Sequence, residues 1–137
     1  MSRVINPDSA GKDRTRLTRA IVLAIRELAK QSGPTPAARD LAAFIALALS
    51  AIAEGIDASV AAWEKRDYWV KADKFRMEWL WAAHYAEKIK NAVLNEDWGT
   101  VATVSAQTAQ KLGKIQVSEN HRLGRPWEGA YEKLRGR

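Results

Sequence analysis

Apolar residues recur along this chain at alternating steps of three and four, the spacing that lines one face of an α-helix. Leu17, Ile21, Ala24 and Leu28 make the first such stripe. It predicts a helix that starts near Asp13 and stops at Ser32, Gly33 and Pro34, because Gly suits the position past a helix end and Pro cannot continue one. Thr35 then offers a capping hydroxyl, with Pro36 at the first helical position. The second stripe, Leu41, Ile45, Ala48, Ile52, Ile56, Ser59 and Trp63, keeps its phase through Gly55 and predicts one helix over 36–66. The alternative is a break at Gly55 with Asp57 as a new cap; continuity is preferred because an interior Gly costs only about 1 kcal/mol. A residue that small also allows another helix to approach closely.

Phe75, Trp79, Ala82, Ala86, Ile89 and Val93 form the seam of a third helix over 68–94, for which Asp67 is the best cap. No Gly or Pro marks that turn, and a bend near Asp73 is the fallback. Asn95 is read as the cap of a fourth helix carrying Trp98, Val101, Ser105, Ala109 and Leu112, with Gly113 as its stop. Residues 1–12 lack any hydrophobic period and read as a flexible polar arm. Residues 114–137 read as a basic tail with a short helix docking through Trp127, Tyr131 and Leu134. No β-type alternation occurs, and the implied connections are short. The predicted fold is all-α: an antiparallel bundle of about four main helices over 13–113, flanked by the arm and the tail. Helices two and three would be about 45 and 40 Å long at 1.5 Å per residue, more than the other two can cover. Dimerisation would cover the excess.

A chain of 137 residues is one domain long and large enough to bury its own core. With no cysteine it has neither a disulfide framework nor a thiolate metal site, which points to the cytoplasm. The N-terminal residues show no apolar export signal. The longest uncharged run, Leu41 to Ala53, is 13 residues, short of the roughly 20 that span a bilayer. It is read as a buried helix, without membrane insertion.

The net charge of +6 is unevenly placed. Lys and Arg outnumber Asp and Glu by seven to three in residues 1–30 and again in 111–137, whereas 31–110 carry eight against ten. Such basic ends suit an anionic partner. On the first helix Lys12, Arg16, Arg19, Arg26 and Lys30 fall within about 80° of arc, opposite the apolar stripe, with only Leu23 and Glu27 near them. Five cations on one line can track phosphates, which makes them the candidate anion-binding set of a sequence-tolerant nucleic-acid binder. The plainer reading is the solvated face that any bundle helix needs. An anionic membrane surface is a weaker option, because the apolar face of this helix is committed to the bundle. Arg122, Arg125, Lys133, Arg135 and Arg137 would add a mobile basic arm.

Eight of the eleven aromatic residues lie between Trp63 and Trp98. Phe75 and Trp79 belong to the third seam, but Trp81 and Tyr85 sit about 100° from its centre, with His84 and Met77 beside them. This second stripe is either a second packing side of a central helix or an interface, where Trp, Tyr and Met are enriched. Trp69, Met77, Trp81, His84 and Tyr85 are therefore the candidate interface. A base-stacking platform is a weaker reading, since Asp67, Asp73, Glu78 and Glu87 offset most of Lys71, Lys74, Arg76, Lys88 and Lys90.

Catalytic signals are thin. The run Asn6 to Asp13 contains a Gly-Lys pair but lacks the first Gly of a P-loop, and Asp13 stands where a Mg²⁺-binding Ser or Thr belongs. His84 and Glu87 are one turn apart, but the chain has only two histidines, too few for a di-metal bundle. Arg76 and His84 are too far apart for a helical ribonuclease that uses an Arg followed closely by His. No enzyme, cofactor or metal is implied. The expected function is a small homo-oligomeric helical interaction or assembly module, with nucleic-acid binding through the first helix as the alternative.

Overall fold

A computed structural model describes the backbone of residues 7–136 and the side chains of 11–136. It is all-helical, with no strand among the described residues. The helices are α1 (Pro7–Ala29), α2 (Pro36–Lys65), α3 (Trp69–Leu94), α4 (Trp98–Lys111) and the short α5 (Ala130–Arg135). α1 begins six residues before Asp13, so residues 7–12 of the expected arm are helical; residues 1–6 lie outside the described residues. α2 packs against α1, α3 and α5, α3 packs against α4, and α4 touches α1. Four main helices thus close a ring in chain order, with α2 as its most surrounded member.

That position explains the composition of α2. Ala42, Ala43 and Ala46 are buried along with Leu41, Ile45 and Leu49, so the helix is covered on more than one side and is apolar around most of its girth. By length and composition alone it is apolar enough to cross a membrane, with mean hydropathy 1.8 over its most apolar 18-residue window. Half of that window is buried against the rest of the protein. The helix runs unbroken through Gly55. The close approach expected there does not occur, for a Cβ added at Gly55 would meet nothing within 4 Å.

Thr35 caps α2 as its sequence suggests: its hydroxyl accepts the Ala38 N–H at 3.0 Å. The next two turns are built differently from expectation. Asp67 does not cap α3; it sits past the end of α2 at φ 63°. Its N–H donates to the Glu64 carbonyl and the Tyr68 N–H to the Trp63 carbonyl, the paired bonds of a Schellman turn. The same turn closes α3. There Asn95 is the last half-helical residue, Glu96 takes φ 54°, and the Glu96 and Asp97 N–H groups return to Val93 and Ala92. Asp97, not Asn95, caps α4. Its carboxylate accepts the Thr100 N–H at 3.2 Å and the Thr100 hydroxyl at 2.6 Å.

The expected boundary at residue 113 is not a packing boundary. Val117, Trp127, Ala130 and Leu134 belong to the same apolar core as the long helices. The segment between α4 and α5 lies across the outer side of α1, where the Arg26 guanidinium donates to the Val117 carbonyl at 3.0 Å. The docking helix expected near Trp127, Tyr131 and Leu134 is α5, and it rests on α2. Arg39 joins these parts, pairing with Glu96 at 2.6 Å and lying 5.9 Å from the centre of the Tyr131 ring.

Candidate interaction surface

The aromatic segment of α3 divides into a packed flank and an open one. On the packed flank Phe75 meets Trp63 edge-on at 4.9 Å, and the Arg14 guanidinium lies 5.0 Å from the Phe75 ring and 5.7 Å from the Trp79 ring. Trp79 stacks on Trp81 at 5.7 Å, and Trp81 meets Tyr85 at 5.5 Å. Trp81 and Tyr85 are half-buried against the core. They therefore form the rim of the bundle and contribute only an edge to any outer surface. The other three candidates, Trp69, Met77 and His84, are exposed.

The open flank is larger than those three residues. Val70 is 72%, Met77 63%, Trp69 58% and Leu80 47% exposed, and all the large exposed apolar side chains among the described residues lie on α3 or at its cap, Tyr68. These side chains face away from the core, and the ground beside them is left open by a mismatch of lengths. α4 has 14 residues against 26 in α3, about 21 Å against about 39 Å at 1.5 Å per residue. Folding back from the three-residue turn at Asn95–Asp97, it reaches only to about residue 80. The first three turns of α3 are left without that neighbour. An open groove of about 800 Å³ lies beside them, lined by Trp63, Tyr68, Trp69, Val70 and Phe75 and by the charged residues Asp67, Lys71, Lys74 and Glu78. Lys71 Nζ sits 4.8 Å from the centre of the Trp63 ring.

Val70 and Leu80 escape a search for aromatic side chains, yet a signal for them exists. Val70, Asp73, Met77, Leu80, His84, Glu87, Asn91 and Leu94 repeat at three and four, and every one of them is exposed. This is a heptad seam that turns away from the core. The stronger inward seam and the polar half of the outer one hide it.

The cations expected to form one anion-binding line on α1 are distributed among separate tasks. Leu23, in the middle of their arc, is 2% exposed, because the segment after α4 covers that side of the helix. Arg26 holds the Val117 carbonyl, Arg16 pairs with Asp13 at 3.4 Å and Lys30 with Glu27 at 2.9 Å. Lys12 and Arg19 have no ion pair among the described residues. Arg26 and Lys30 line a cavity of about 330 Å³ together with Arg125, His121, Glu27 and Glu119, a lining of mixed sign. The Lys30 ammonium bonded to Glu27 holds that carboxyl below its ordinary range. Of the basic tail residues, Arg125 lies near Glu128 at 3.8 Å and Arg135 near Glu132 at 3.2 Å; Arg137 lies outside the described residues.

His84 and Glu87 both lie on the outward seam, and no group of three His, Asp or Glu among the described residues is placed to hold a metal ion. His121 accepts the Leu123 N–H through Nδ1 at 3.2 Å, a local turn contact. No protein-family model, curated protein or solved structure matches this chain. The functional reading therefore rests on the surface itself.

Proposed function

We propose that this chain is a helical assembly module that associates with itself through the outward face of α3. The reading is supported by one observation: the large exposed apolar side chains among the described residues gather on the outward face of α3 and at its cap. Apolar groups in that density on one helix gain free energy when removed from water, at about 25 cal/mol per Å² buried. Trp and Met are residue types enriched at the centres of protein interfaces. The packed rim formed by Trp79, Trp81 and Tyr85 gives this face a rigid base. Light scattering on the purified chain and on Met77→Glu and Leu80→Glu tests the reading. The expected result is a wild-type mass above that of one chain and a shift of both variants to the single-chain mass, with helix content by circular dichroism unchanged. A wild-type monomer at high protein concentration would overturn it.

A further inference from the structure

We infer that two copies pair antiparallel along α3, in one register centred between Glu78 and Trp79. This rests on the self-association proposed above and assigns its geometry. The order of charges along the exposed seam selects this orientation. In a parallel pair each seam residue faces its own copy, which sets Asp73 against Asp73 and Glu87 against Glu87, and like charges held opposite one another are destabilising. An antiparallel pair layers one seam position of each type against the other.

Centred between residues 78 and 79, that layering places Met77 against Leu80 of the second copy, and Leu80 against its Met77. The two apolar layers meet at the middle of the contact. The next layer on each side sets the Asp73 carboxylate against the His84 imidazole, an acceptor against a donor. The third layer on each side sets Val70 against Glu87 at the ends of the contact, whereas a shift of one heptad in either direction brings a carboxylate, Glu87 or Asp73, against Met77 in the first or second layer. The contact is isologous, so it closes at two copies.

The chain has no cysteine, so single thiols map this geometry, and the seam side chains are exposed, so their replacement is expected to leave helix content by circular dichroism unchanged. Two copies of Leu80 lie about 4.5 Å apart along the helix axis in this register, and two copies of Val70 about 26 Å apart. Under mild oxidation or with a short bis-maleimide, Leu80→Cys is expected to give a covalent dimer. Val70→Cys and Glu87→Cys, each alone, are expected to stay single, and an equal mixture of the two to cross-link. Self-cross-linking of Val70→Cys would overturn the antiparallel register. Absence of any cross-link in a chain that scatters light as a dimer would overturn this seam while leaving self-association standing. A monomer by light scattering would remove both.

Discussion

Asp40, in the second turn of α2, accepts the backbone N–H of Tyr131 at 2.9 Å across 91 residues of chain, and its other oxygen accepts the Gly129 N–H at 3.1 Å. A residue of one helix thus caps another. α5 has only six residues and no side-chain cap of its own, too short to form alone. Its first free N–H groups are satisfied by α2, while Ala130 and Leu134 are buried on the bundle.

Asp40→Ala should therefore release α5 selectively. The expected loss is about 1–2 kcal/mol, the upper range for removal of a helix cap. Amide exchange should rise at residues 130–135 before it rises in α2 or α3. Equal exchange across the whole chain would show that α5 is not a separate docking element.

Asp67 and Glu96 occupy left-handed backbone conformations that Gly adopts without steric cost. Asp67→Gly is expected to stabilise the fold by about 0.5 kcal/mol, the strain relief being partly offset by a freer unfolded chain. Glu96→Gly should gain less, because it also loses the pair with Arg39. Gly55→Ala should add roughly 0.5–1 kcal/mol, since it sits inside α2 with nothing within 4 Å of the new methyl. Denaturant unfolding of the three variants checks the order.

These same residues show how much of the fold is legible in the chain. The core seams, the cap at Thr35 and the apolar residues that dock α5 can be read from spacing and residue type alone. The ends of α2 and α3 cannot, because their left-handed positions hold Asp and Glu where Gly is the usual signal. The role of the C-terminal segment is equally hidden. Its docking depends on Asp40 and Arg26, contacts of 91 residues' separation that no local pattern encodes. For the same reason five cations on one arc of α1 read as an open basic face, although Leu23 among them is covered. On α3 the mixed Met, Leu, Asp and His seam was readable by its period but is masked by the aromatic residues beside it.

Ser105 is buried on α4 with no hydrogen-bond partner for its hydroxyl among the described residues. Ser105→Ala should raise stability by about 1 kcal/mol, combining a removed desolvation cost with better helix propensity. An unchanged or lower unfolding midpoint would indicate that the hydroxyl is satisfied in solution.

Asp97 titrates below its ordinary range, chiefly because the Thr100 hydroxyl, and then the Thr100 N–H, bond to the charged form. The folded chain therefore binds fewer protons at this site than the unfolded one. The cap contributes fully above the ordinary Asp range, and its contribution is lost as pH falls through the lowered value. Asp97→Ala should lower Tm at neutral pH, and its difference from wild type should shrink at acid pH. A difference that grows on acidification would contradict this cap.

The most direct measurement is the solution mass of the wild-type chain beside Leu80→Glu, by light scattering over a range of concentrations. The account predicts a wild-type mass approaching twice 15.3 kDa and a variant that stays at the single-chain mass with its helix content intact. Two monomers, or two dimers of equal strength, would contradict it.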